Sequence, residues 1–128
     1  MEIHFKGTNY ELAPEITSKT QKKVKALKKF LGGNARTVHA YVELGKETNR
    51  HQNGDIWRAE VNFDTQGTMF RAVAVRDTLE NAIDEAVNEL GKELRRSKKK
   101  NESLVRRGGA VLKDIARGFR SRGRGFSY

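Results

Sequence analysis

The stretch DTLENAIDEAVNELGKEL, residues 77–94, has the pattern of one long amphipathic helix. Asp77 and Glu80 have the spacing of a capping box, in which two side chains three residues apart bind the free N–H groups that open a helix. Acidic side chains crowd the first turns and basic ones follow the last, as the helix dipole favours. One apolar stripe joins Leu79, Ile83, Ala86, Val87, Leu90 and Leu94. We therefore predict that this stripe faces the core of the domain.

The residues before this helix predict the rest of the fold. Ile3 and Phe5 alternate with polar residues and indicate a short strand, and Pro14 opens a helical pattern that runs to Gly32-Gly33. Alternating segments at residues 37–44, 57–63 and 68–76 predict three more strands. In the last of these we expect Met69, Val73 and Val75 to face inward, although Arg71 shares their side. The order predicts an α+β fold, with two helices on one face of a four-stranded, mainly antiparallel sheet.

Charge divides the 128-residue chain into two unequal parts. Residues 1–94 hold 14 basic and 14 acidic side chains, whereas residues 95–128 hold 12 basic and 2 acidic ones, so the net charge of +10 lies in the last 34 residues. This distribution indicates a folded domain over residues 1–100 and a basic, Arg/Gly-rich, disordered tail over 101–128. Residues 110–119 have the spacing of a short amphipathic helix within that tail. A polyanion is the expected partner.

Several function classes find no support in the sequence. Cysteine is absent, which removes disulfides and thiolate chemistry, and no apolar run is long enough to span a bilayer. His4, His39 and His51 have no second ligand at a metal-binding spacing, and no nucleotide loop or nucleophile motif occurs. We expect a cytoplasmic, non-enzymatic protein without cofactor, metal, membrane or small-molecule substrate. An enzyme is the least favoured class.

Basic residues cluster on the first helix, at the end of the second helix and in the tail. A solvated surface is the competing interpretation of the lysines, and a solubilising extension that of the tail. The first helix, however, holds only one acid, Glu15, so its lysines are not balanced by carboxylates. In the tail, arginine alternates with Phe119, Phe126 and Tyr128; arginine binds phosphates, and aromatic rings stack on unpaired bases. The predicted RNA-binding residues are Lys19, Lys22, Lys23, Lys25, Lys29, Lys92, Arg95, Arg96, Lys98, Lys99, Lys100, Arg106, Arg107, Arg117, Arg120, Arg122 and Arg124.

Three segments resemble the ribosome hibernation-promoting factors, the family that includes ribosome-associated inhibitor A. These segments are the opening strand with its turn at residues 3–12, the end of the first helix at residues 22–30, and the second helix from Asp77 onward. The resemblance covers roughly residues 1–100. It is carried by the positions of apolar and basic residues rather than by a short motif.

The resemblance implies a β-α-β-β-β-α domain related to double-stranded RNA-binding domains. It implies binding to ribosomal RNA of the small subunit, at the messenger and transfer RNA sites, with inhibition of translation under stress. By position, its contacts would be Lys22, Lys23, Lys29, Lys92, Arg96, Lys98 and Lys100. Residues 101–128 are too short and too basic to be the second, dimerising domain of long family members. A nonspecific RNA- or DNA-binding architectural protein that acts through its tail is the alternative.

Overall fold

The helices and strands of the computed structural model follow the predicted order β-α-β-β-β-α. The structure describes residues 1–32, 37–47, 56–65 and 67–106, with side chains up to residue 101. The strands are β1 (Glu2–Thr8), β2 (His39–Glu47), β3 (Ile56–Thr65) and β4 (Thr68–Arg76). The helices are α1 (Pro14–Lys25), a 3₁₀ helix (Ala26–Phe30) and α2 (Leu79–Arg106). The α+β class is confirmed.

The four strands form one mixed sheet in the order β1-β2-β3-β4. β1 runs parallel to β2, while β2–β3 and β3–β4 are antiparallel. A parallel pair requires a crossover connection, and α1 with the 3₁₀ helix lies in that connection. Among the described strands, β1 is therefore an edge strand that pairs with β2.

The core lies between the helices and one face of the sheet. A row across the four strands places Phe5, Val42, Val61 and Ala72 on this covered face. From the helices it is joined by buried side chains that include Val24, Leu27, Leu90 and Leu94. Full burial of such a side chain contributes about 1.5–3 kcal/mol to folding. The core therefore holds both helices against the sheet.

The other side of the sheet, the open sheet face, consists of the residues that alternate with those of the core. Its central row contains His4, Tyr41, Asn62 and Arg71. Tyr41 is 43% exposed. Because the core lies on the opposite side, this face displays side chains from all four strands.

The predicted inward face of β4 is wrong. Ala72 and Ala74 are buried, whereas Val73 and Val75 are exposed and Arg71 lies on the open sheet face with them. β4 is apolar on both sides, so alternation alone does not choose between them. The antiparallel register decides instead, because Val61 of β3 is buried and pairs with Ala72.

Both helix predictions are correct in position but not in detail. The first helix tightens at Ala26 into 3₁₀ geometry, in which residues three apart lie on the same side, here Leu27 and Phe30. The N-cap of α2 is Thr78 rather than Asp77: the backbone N–H of Asn81 donates to Thr78 Oγ1 at 3.1 Å. The predicted N-cap is therefore wrong by one residue, and the predicted capping box of Asp77 and Glu80 is not formed at this cap.

Candidate nucleic-acid interface

α1 and the 3₁₀ helix present a continuous set of lysines to solvent. We call this the lysine face, and it consists of Lys19, Lys22, Lys25, Lys28 and Lys29, all of which are exposed. The acidic residue in the first turn of α1 is Glu15. Within the described residues, none of the five forms an ion pair with a carboxylate, so their charges are available to a partner.

Lys23 differs from its neighbours because it points toward the second helix. Its Nζ pairs with the carboxylate of Asp84 on α2, and both side chains are partly exposed. The acidic start of α2 thus neutralises one lysine of α1. The prediction that Lys23 binds RNA stays a prediction, with the additional requirement that this ion pair opens or is shared.

The second half of α2 carries the other predicted basic residues of the domain. Arg95, Arg96, Lys98, Lys99 and Lys100 are exposed along it. Two basic residues of the helix have acidic neighbours one turn earlier: Lys92 lies 3.3 Å from Glu89, and Arg96 lies 3.0 Å from Glu93. Such exposed pairs are weak and salt-sensitive, so a phosphate can replace the carboxylate.

The two basic segments meet at Phe30. Arg95 of α2 lies 5.7 Å from the centre of its ring and Lys29 Nζ lies 5.2 Å from it. Lys98 Nζ donates to the backbone carbonyl of Lys29 at 3.4 Å, across 69 residues of sequence. We call Lys29, Arg95 and Lys98 the basic junction.

The packing that creates the basic junction depends on a glycine. Gly91 is buried in α2, and a Cβ at this position would lie 3.3 Å from Leu27 Cδ2. The absent side chain lets the 3₁₀ helix approach α2 closely. The junction was not predicted as one site, since helical periodicity orients each helix but does not bring two helices together.

The remaining predicted RNA-binding residues are only partly described. Arg106 is the last residue of α2, and its side chain is not described. Arg107, Arg117, Arg120, Arg122 and Arg124, and the predicted short helix at 110–119, lie outside the described residues.

The open sheet face differs from the helix side in its charges. The carboxylate of Glu60 accepts hydrogen bonds from Arg58 at 2.6 Å, Asn62 at 2.8 Å and Arg71 at 2.8 Å. Burial raises the pKa of Glu60, but these three donors outweigh it and hold the pKa below its usual value of 4.5. Two arginines of this face are thereby engaged with Glu60, which leaves the helix side as the more available cationic surface.

The open sheet face also carries a cluster of stacked rings, formed by His4, His39 and Tyr41. His4 stacks on Tyr41 with ring centres 5.0 Å apart, and on His39 with centres 5.8 Å apart. With Glu2 the two histidines form a group whose ligand atoms lie within 4.8 Å of one another. The sequence contains no signal for this group apart from the side of each strand on which the residues fall.

The comparisons with known proteins agree with this arrangement of strands and helices. The family model described as sigma 54 modulation protein / S30EA ribosomal protein matches residues 3–102. The chain belongs to this family. Ribosome hibernation, ribosome binding and regulation of translation are the functions of its members, so the resemblance stated from the sequence is confirmed.

Two solved structures of related proteins share the fold of this S30EA family member. The N-terminal domain of Protein Y from Thermus thermophilus is 29% identical and superposes with a TM-score of 0.62 over 75% of this chain and 98% of that domain. A ribosomal subunit interface protein from Coxiella burnetii is 17% identical, with a TM-score of 0.62 over 77% of this chain and 99% of that one. No curated protein sequence gives a significant match. In the described ranges, no helix is long and apolar enough to cross a membrane.

Proposed function

We propose that this chain is a non-enzymatic hibernation factor of the cytoplasm. It binds ribosomal RNA of the small subunit in the messenger and transfer RNA decoding region, and it inhibits translation under stress. The observation that carries the proposal is the basic junction, where Lys29 of the lysine face meets Arg95 and Lys98 of α2. Family membership supports the ribosome as the partner.

The chemistry of the basic surface suits folded RNA. Lysine offers a mobile point charge, and the Arg95 guanidinium can bind two phosphate oxygens at once. Neutralising about 6 phosphates would release enough counterions to give a log–log salt slope of roughly −4 to −5. The interface therefore gains affinity from charge, while the shape of the domain selects the location.

The acidic start of α2 argues for a particular orientation on the RNA. Glu80, Asp84 and Glu85 lie in its first turns, and Glu85 pairs with Arg76 of β4. These carboxylates would repel phosphates, so we infer that α2 meets RNA with its second half. An RNA-binding mode that docks the start of this helix on a duplex is disfavoured.

Binding to purified ribosomal subunits tests the proposal. The chain should co-sediment with small subunits at low salt and be displaced competitively by messenger RNA or initiator transfer RNA. Binding to large subunits alone, or co-sedimentation with no competition, would contradict the decoding-region site. No co-sedimentation at low salt would contradict ribosome binding itself.

The alternative, a nonspecific nucleic-acid-binding protein driven by its tail, is favoured by the excess charge beyond residue 94. Truncation after Arg106 separates the two, and this end is chosen because α2 continues to that residue. The ribosome-binding proposal expects the truncated chain to keep its subunit binding at reduced affinity. The alternative expects loss of all binding, together with equal affinity of the full chain for unrelated RNA.

A further inference from the structure

The parallel pairing of β1 with β2 places three metal-binding side chains together on the open sheet face. Glu2 pairs with His39 in the register, and His4 follows Glu2 by two residues on the same side of β1. A carboxylate oxygen of Glu2 and one ring nitrogen of each histidine lie within 4.8 Å of one another. This group belongs neither to the lysine face nor to the basic junction.

The geometry around His39 fits a cation. Its Nδ1 lies 3.4 Å from Glu2 Oε2. This nitrogen is shielded from solvent, and it has no hydrogen-bond partner among the described residues. Ligand atoms around a tetrahedral Zn²⁺ lie roughly 3.3–3.5 Å apart, as its bond lengths of about 2.0–2.2 Å require. The Glu2–His39 pair therefore already has the separation that two ligands of one zinc ion have.

His4 is positioned to provide the third ligand. Its ring is stacked nearly parallel to that of His39, with an interplanar angle of 12°, so the two rings must turn relative to one another before both direct a nitrogen lone pair at one ion; the exposed side chain of His4 is free to turn. Glu2 is also exposed, so rotation about side-chain bonds can bring its oxygen and the His4 nitrogen onto the same ion without moving the strands. Two imidazole nitrogens and one carboxylate oxygen are a donor set that Zn²⁺ prefers over Mg²⁺ or Ca²⁺.

We propose that Glu2, His4 and His39 bind one Zn²⁺ ion on the open sheet face. Three protein ligands leave a fourth position for water or an external ligand. The bound ion would connect the edge strand β1 to β2 through side chains, next to the backbone pairing of the same residues. This site is independent of the proposed ribosome binding, because its residues lie on the side of the sheet opposite the helices.

Calorimetric titration of the full-length chain with Zn²⁺ tests the site. The protein is used without a polyhistidine tag, since a tag binds the same ion. We expect saturable binding of one ion per chain. His4→Asn and His39→Asn should each weaken the affinity for Zn²⁺ at least about tenfold, because loss of a residue that only supports a metal ligand already costs about 10–100-fold in affinity. His51→Asn, which changes the third histidine of the sequence, should leave binding unchanged. Mg²⁺ should not compete.

A second measurement guards against variants that fold poorly. Zn²⁺ should raise the thermal unfolding midpoint of the wild-type chain and of His51→Asn, but not that of His4→Asn. Because His4 is exposed, its substitution should not impair folding, so the missing effect of Zn²⁺ on this variant cannot be attributed to misfolding. In wild-type protein, the ring resonances of His4 and His39 should shift together with added Zn²⁺. The proposal is overturned by an absence of saturable binding, by equal binding in all three variants, or by shifts confined to His51.

Discussion

Lys23 of α1 and Asp84 of α2 form an ion pair across 61 residues of sequence. Both side chains are partly exposed, whereas Leu27 and Gly91, where the 3₁₀ helix packs against α2, are buried. Packing in the core brings the helices together, and the ion pair is made between side chains that the packing has already positioned. Its energetic contribution should accordingly be small.

A double-mutant cycle with Lys23→Ala and Asp84→Ala measures that contribution. We expect a coupling free energy below about 1 kcal/mol, because solvent screens both charges. Urea unfolding of the wild type, the two single variants and the double variant at low salt gives the coupling free energy, which should be smaller still at high salt. A coupling that exceeds this range and persists in salt would show that the pair helps to hold the helices together.

Charge reversal at the basic junction should weaken binding to small ribosomal subunits. Lys29→Glu, Arg95→Glu and Lys98→Glu each remove a phosphate partner and introduce a repulsive carboxylate. Each should also make the log–log salt slope less steep by about 1. The control is Lys6→Glu on the open sheet face; it also breaks an exposed ion pair with Glu43, yet the same change of charge should have a much smaller effect on subunit binding. Equal losses in all four variants would indicate a response to net charge rather than an interface.

The corrected N-cap of α2 predicts unequal effects of two neighbouring substitutions. Thr78→Ala removes the acceptor of the Asn81 N–H and should lower the free energy of unfolding by about 0.5–2 kcal/mol. Asp77→Ala removes a side chain that is exposed and should change it by less than about 0.5 kcal/mol. Denaturant unfolding in moderate salt, which screens the helix dipole, compares them. The reverse order would restore Asp77 as the cap.

The hydrogen bonds to Glu60 predict a pH-dependent contribution to stability. Since the folded protein holds the pKa of this carboxyl below 4.5, the ionised group stabilises the fold above the pKa of the unfolded chain, and this contribution is lost as the pH falls through the folded-state value. Glu60→Gln should cost about 1–3 kcal/mol at neutral pH. The difference from wild type should stay constant down to about pH 5 and diminish below it.

Urea unfolding of wild type and Glu60→Gln across the acidic range checks this dependence. Glu11→Gln is the control, because Glu11 is exposed and accepts no hydrogen bond from the described residues. A Glu60→Gln cost that did not change with pH would contradict a stabilising role for the ionised form.

Local pattern was sufficient for most of the fold. The apolar stripe from Leu79 to Leu94 gave the position of α2, and alternation gave the buried sides of β2 and β3. It failed for β4, where Val73 and Val75 alternate with Phe70, Ala72 and Ala74, so that both sides of the strand are apolar. Only pairing with β3 resolves that choice, since the burial of Val61 and Phe63 imposes a side on their partners.

The sequence predicted the individual basic residues of the candidate interface, but not that residues of the two helices meet in one site. The lysine face follows from the helical repeat, because neighbours one turn apart share a side of one helix. The meeting of Lys29 with Arg95 and Lys98 does not follow from it. That meeting depends on how closely the 3₁₀ helix approaches α2, which the buried Gly91 permits.

By itself, the sequence determined the α+β class, the order of the elements, the basic surfaces of the helices and the resemblance to a ribosome-binding family. These features are encoded within a few residues along the chain, where helical and strand periodicity act. Only the tertiary structure decided the inward side of β4, the basic junction, and the group formed by Glu2, His4 and His39. The reason is physical: each depends on strand register or helix packing between distant segments, and burial of the whole core selects that arrangement.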